Sequence, residues 1–118
     1  MLNKIELGKL GQEAAEVFLI NKGFSVLERN FRGANGEIDL IVNDNEYIVF
    51  TEVKCRSGLQ YGYPRESVNN AKQRHIKKTA MFYIVKHKLT EQDFRFDVLE
   101  VYNDNGQFHV EHIENAFW

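Results

Sequence analysis

The sequence predicts an α/β fold, its elements running α-β-β-β-α-β-β through one domain over residues 1–118. Three observations predict it. Two stretches with apolar residues at helical spacing are separated by runs of strand-forming residues. Asn43-Asp44-Asn45 and Asn103-Asp104-Asn105-Gly106 are turn chemistry between such runs. Residues 47–56 are largely apolar at both odd and even positions. A strand of that kind belongs at the centre of a sheet, covered on both sides.

Residues 3–21 read as an amphipathic helix carrying Leu7, Leu10, Ala14, Val17 and Phe18 on one stripe. At about 100° per residue, Glu13 falls inside the stripe between Val17 and Ile20, and Gln12 and Glu16 fall outside. Glu13 is therefore expected to turn towards the core. Gly23 suits a left-handed helix cap. Residues 24–31 form the first strand, and the turn at 32–36 leads into the second, 37–42. Alternation puts Glu37, Asp39 and Ile41 on one face and Ile38, Leu40 and Val42 on the other. In the third strand, 47–56, Ile48, Phe50, Glu52, Lys54 and Arg56 share a face. Tyr47, Val49, Thr51, Val53 and Cys55 share the opposite one.

Residues 57–64 are a loop with two glycines, and its Tyr61 and Tyr63 could stack on unpaired bases. A second helix starts at Asn69 or Asn70, with Asn69 as N-cap, and runs to residue 88. Val68, Ile76, Phe82 and Tyr83 mark its buried side. Lys72 and His75 fall in the same sector, and His75 is expected to pack on the sheet. Arg74, Lys77 and Lys78 lie outside. The fourth strand, 94–102, places Phe94, Phe96 and Val98 on one side and a structural Arg95–Asp97 pair on the other. Residues 107–113 complete a hairpin, and the tail 114–118 ends in two aromatics that dock on the body or on a partner subunit.

The formal net charge of -2 hides an uneven distribution. Residues 54–88 hold nine basic residues against Glu66 alone, which gives one region a positive field suited to a polyanion. The single cysteine excludes an internal disulfide and fits a reducing cytosol. No run is long and apolar enough for a membrane span, and the first residues lack a secretion signal, so the expectation is a cytoplasmic protein. The four histidines and one cysteine form no zinc pattern, and no phosphate loop, Rossmann fingerprint or nucleophile elbow is present.

The charges at Glu52 and Lys54 interrupt a packed face, which is costly unless they are paired or bind an ion. Asp39 on the neighbouring strand can approach them. Oxygen ligands of this kind suit Mg²⁺ or Mn²⁺, and a lysine beside them suits phosphodiester chemistry. Gly36-Glu37-Ile38-Asp39-Leu40, then residues 49–56, Lys72 and Arg95-Phe96-Asp97 resemble the YraN-like family of predicted endonucleases. That family is similar to archaeal Holliday-junction resolvases within the PD-(D/E)xK superfamily. The resemblance extends to Gly11-Gln12-Glu13-Ala14-Ala15. It implies a restriction-endonuclease-like core, a central mixed sheet flanked by helices. It also implies metal at Asp39 and Glu52, Lys54 as the catalytic lysine and Glu13 as an accessory acid. Arg56, Lys72, Arg74, Lys77, Lys78, Tyr61 and Tyr63 are the expected DNA contacts, and the resolvase relatives make a homodimer the expected assembly. The expected function is Mg²⁺- or Mn²⁺-dependent cleavage of DNA, at branched or single-stranded sites. The alternative is a non-catalytic nucleic-acid-binding or assembly module on the same fold.

Overall fold

Asn3 starts the first helix by accepting the Glu6 N–H at 2.8 Å, while the Glu6 carboxylate accepts the Asn3 N–H at 3.4 Å. This reciprocal cap satisfies two of the donors that a helix start leaves open. In the computed structural model, which describes residues 3–57 and 68–118, the helix is α1 (Lys4–Asn21). It is followed by β1 (Ser25–Gly33), β2 (Gly36–Asn43), β3 (Tyr47–Ser57), α2 (Asn70–Lys86), β4 (Asp93–Asp104) and β5 (Gln107–Phe117). The strands lie in chain order in one sheet. Neighbours are antiparallel except β3 and β4, which run parallel because α2 carries the chain back between them. The order α-β-β-β-α-β-β and the mixed sheet flanked by helices are those of the restriction-endonuclease-like core.

β3 occupies the centre. Ala15 and Leu19 of α1 cover Leu40, Val42, Val49 and Leu99 on one face. Ile76, Ala80, Tyr83 and Ile84 of α2 cover Ile38, Ile41, Phe50, Phe96 and Val98 on the other. Turn chemistry sets the register at both hairpins. Asp44 accepts the N–H groups of Glu46 and Tyr47, and Asn45 adopts a φ of +83°. Asn105 and Gly106, at φ +51° and +89°, close the β4–β5 hairpin with the two positive values that a type I′ turn requires.

Expectations for α1, β2 and His75 change, while the tail aromatics dock on the body of the chain. The buried stripe of α1 is Gly11, Ala15 and Leu19, while Leu10, Val17 and Ile20 remain exposed. The helix approaches the sheet through its small residues: a β-carbon on Gly11 would collide with Sγ of Cys55. An apolar count weights Leu and Val and so misplaces this face. In β2, regular alternation fails at Asp39. Ile38 packs under α2 together with Ile41, although Leu40, two residues from Ile38, packs under α1. Asn30 lies in β1 between Arg29 and Phe31, which pair with Leu40 and Ile38, and its φ of +50° marks the same irregularity. His75 is exposed instead of packed on the sheet. The tail continues β5: after a register shift Phe117 pairs with Phe96, and the Trp118 ring stacks on Phe96 at 5.6 Å. Tyr61 and Tyr63 lie outside the described residues.

Candidate metal and phosphate site

The ladder between β2 and β3 is paired from Asn43–Ile48 to Leu40–Thr51. Beyond it, the Val53 N–H donates to Oδ2 of Asp39 at 2.8 Å instead of to a strand carbonyl. The Asp39 side chain therefore enters the space where the two strands part. Between Thr51 and Val53, Glu52 is 2% exposed and turns to the α2 side of the sheet. Lys72, in the first turn of α2, reaches back so that its Nζ stands 3.3 Å from Oε2 of Glu52. The backbone of that turn is fixed by Asn69, whose side chain accepts the Lys72 N–H at 2.9 Å. Lys54 continues the same face of β3, near enough for the charge of Lys72 to act on its amine. The charges of Asp39, Glu52, Lys54 and Lys72 thus act on one another.

Burial sets the proton affinities here. It pushes the Glu52 carboxyl up to about 7, the nearby Asp39 charge adds to the rise, and Lys72 opposes it. Burial also raises Asp39, against the Val53 hydrogen bond and the two lysines. Lys54 is lowered by burial and by the adjacent Lys72 ammonium. Among the described residues, Oε1 of Glu52 is buried without a hydrogen-bond partner. An orphaned carboxylate oxygen in a protein interior is an unsatisfied acceptor, and a hard cation is a partner that suits it.

Other expected residues fall differently. Glu13 is exposed on α1 and lines the groove between α1 and the β1–β2 hairpin. It is not among the charges acting on Asp39, and no cluster of three acid, histidine or cysteine side chains forms among the described residues. The helix residue that does approach is Gln12. Its Nε2 donates to Oδ1 of Asn30 at 3.1 Å and to the Asp39 carbonyl at 3.5 Å. Glu37 is held by Arg32 at 3.0 Å at the rim of the hairpin. Arg56 donates from Nε to Oε2 of the fully buried Glu100 at 2.9 Å. Arg74 and Lys78 are exposed on α2, and Nζ of Lys77 lies 5.6 Å above the Trp118 ring.

Two of these residues carried readable signals. Glu100 follows Phe96 and Val98 at even spacing, so it breaks an apolar face as Glu52 does, and it pairs in register with Lys54. Gln12 becomes visible only once the small residues, not the large ones, are taken to mark the buried side of α1.

The sequence model of Uncharacterised protein family UPF0102 matches residues 11–101. A UPF0102 protein of Caldicellulosiruptor saccharolyticus is 43% identical over 118 residues, covering 98% of this chain and 100% of that one. Those of Clostridium tetani and Thermodesulfovibrio yellowstonii are each 47% identical, covering 95% and 98% of this chain and 93% and 98% of theirs. Among solved structures, Pyrococcus furiosus SfsA in complex with Ca²⁺ aligns with a TM-score of 0.40 and 11% identity, over 97% of this chain and 64% of that one. The family match spans most of the chain and the relatives span nearly all of it, so the chain belongs to UPF0102, the YraN-like family that its motifs resemble.

Proposed function

We propose that this protein is a metal-dependent endonuclease that hydrolyses DNA phosphodiester bonds, working in the cytoplasm as a single domain. The observation that carries the reading is Glu52: a carboxylate 2% exposed, with one oxygen unpartnered, beside Asp39 and two lysines. Folding a carboxylate into a sheet without satisfying it costs stability, and such costs concentrate where chemistry needs them. Asp39 and Glu52 would hold Mg²⁺ or Mn²⁺. Bound there, the ion would supply Lewis acidity towards a phosphate oxygen and a lowered pKa for its water.

The chain's own groups account for the rest. The Lys54 amine, half-buried on the same face as Glu52, stabilises the negative charge that builds on the phosphorus. Water adds to the phosphorus, one P–O ester bond breaks, and the departing alkoxide takes a proton. The Val53 N–H fixes the Asp39 carboxylate, and Glu100 fixes Arg56 along the same face. The exposed Arg74 and Lys78, with Lys72 and Lys77, line the α2 side with positive charge for the DNA backbone.

The test is a cleavage assay on labelled linear, single-stranded and four-way-junction DNA, with Mg²⁺, Mn²⁺ or chelator. Wild type is expected to cleave at least one substrate with metal and none with chelator. Asp39→Ala and Lys54→Ala should each lose roughly a hundredfold or more in rate, the scale of removing one group that stabilises developing charge. Cleavage retained by both variants would sink the reading. Tight DNA binding without cleavage in any condition would favour a non-catalytic module instead.

A further inference from the structure

The candidate site pairs two acids with two bases. Two carboxylates, Asp39 and Glu52, face two ammonium groups, Lys54 and Lys72. Within the group Lys72 stands 3.3 Å from Oε2 of Glu52. The two partners differ in freedom. The Glu52 side chain is 2% exposed and anchored in the central strand, whereas the Lys72 side chain is 41% exposed on a long stem at the start of a helix. A lysine so placed can leave its carboxylate for water or for another anion without unpacking the core.

A divalent ion entering beside Glu52 would bring two more positive charges next to two ammoniums in a largely buried place. Uncompensated charge in such surroundings is strongly disfavoured. The half-exposed ammonium is the charge that can move. We infer that Lys72 is a resident counter-ion for Glu52 that gives way to the metal and turns to a backbone phosphate of the nucleic acid. It acts as a positioning residue that couples occupation of the metal site to capture of the polyanion. The inference rests on the metal-dependent reading above and deepens it: by thermodynamic reciprocity, metal tightens DNA binding by the same factor as DNA tightens metal binding.

Calorimetric titration of Mn²⁺ into the full chain without DNA tests the exchange directly. Lys72→Met should bind Mn²⁺ roughly tenfold more tightly than wild type, a coupling of ordinary size between linked sites. Lys72→Arg, which keeps the charge, should stay near wild type. Glu52→Gln and the double variant Glu52→Gln/Lys72→Met should both bind weakly and alike. Labelled duplex DNA, followed by fluorescence anisotropy in a Lys54→Ala background, gives the second arm. There Mn²⁺ should tighten binding about fivefold or more while Lys72 is present, and less than about twofold with Lys72→Met. Thermal melts of each variant establish folding. If Glu52→Gln abolishes Mn²⁺ binding but Lys72→Met leaves it unchanged or weaker, the exchange is wrong and the metal site stands. If Mn²⁺ binding survives Glu52→Gln, or is absent in every variant, the metal site itself is wrong and the exchange falls with it.

Discussion

Two buried acids in this sheet meet opposite fates. Asp97 is fully buried in β4, and both its oxygens are bonded. Arg95 donates from Nε to Oδ1 at 3.0 Å and from Nη2 to Oδ2 at 3.2 Å. Nε2 of His112 lies 2.6 Å from Oδ2, and the Asn115 N–H donates to Oδ1 at 2.9 Å. Lys22 donates to the far nitrogen of the His112 ring at 2.8 Å, so the cluster ties α1, β4 and β5 together. Burial alone would raise the Asp97 pKa, but hydrogen bonds from His112, Arg95 and Asn115 outweigh it and hold the carboxyl below its ordinary range. Glu52 is nearly as buried, yet it has one lysine and an open oxygen, and it is pushed up to about 7. One acid is closed to further partners and the other is left needing one. That contrast separates a structural charge cluster from a candidate active site better than burial or residue type does.

The largest effect that would break the contrast concerns Asp97. Asp97→Ala leaves Arg95, 14% exposed, with only the longer contacts to Asp44 at 4.0 Å and Glu114 at 3.8 Å, and should cost about 3 kcal/mol in urea unfolding at pH 7. Because its pKa is lowered in the folded state, Asp97 contributes stability above the ordinary aspartate pKa, and this is lost as pH falls through the folded value. Glu52 has the opposite sign. The folded protein keeps the Glu52 proton up to about 7, while the unfolded chain releases it near 4.5, so stability declines as pH rises between them. Glu52→Gln, which mimics the protonated form, should therefore raise stability by about 1–3 kcal/mol at pH 8 without divalent ions, and by little at pH 5. Equal effects at the two pH values, or a loss at pH 8, would erase the distinction between the clusters.

The next effect concerns how the site is framed. Gly11→Ala places a β-carbon against Sγ of Cys55 and should cost about 1–3 kcal/mol, the range for overpacking. Cys55→Ala in the same chain should recover most of that loss, read as the coupling in a double-mutant cycle of urea midpoints. Additive losses would mean that α1 does not rest on β3 at this point.

Gly11 also shows why part of the fold was legible and part was not. Strand alternation was reliable where the ladder is regular. Alternation puts Glu52 and Lys54 on one face of β3 and Cys55 on the other, and the structure agrees because β3 pairs without a break along β4. Arg95 and Asp97 paired as their spacing required. The failures have two causes, a helix face marked by small residues and a break in strand geometry. Glu13 reads as inward-facing but is exposed, because the close helix–sheet approach is made by glycine and alanine, which carry little weight in a hydrophobic stripe. The faces of β2 depart from alternation where one residue, Asn30, adopts a left-handed φ across from Asp39. Such an irregularity is a feature of two paired strands, and neither strand encodes it alone. The same irregularity lets the Asp39 carboxylate reach the Val53 N–H, so the least legible place in β2 is also the place where the candidate site forms.

The smallest effect concerns the surface charges that separate the two clusters in solution. Lys77 and Lys78 lie on α2, which also supplies Lys72 to the candidate site, whereas Lys22 lies beside His112 at the closed cluster. Reversing Lys77 and Lys78 to Glu should weaken binding to long duplex DNA about tenfold at low salt and reduce the slope of log affinity against log salt, because each phosphate contact releases counter-ions. Lys22→Ala should leave both quantities within experimental scatter. The folded state should tolerate reversal at Lys78, which is exposed, within about 0.5 kcal/mol. Reversal at Lys77 also removes the ammonium above Trp118, so it should cost about 0.5–1 kcal/mol more. An anisotropy titration across salt concentrations decides the matter. If Lys22→Ala lowers the slope as much as the α2 reversals do, the DNA is not held by the α2 side, and the positive field of that helix is only solvated surface.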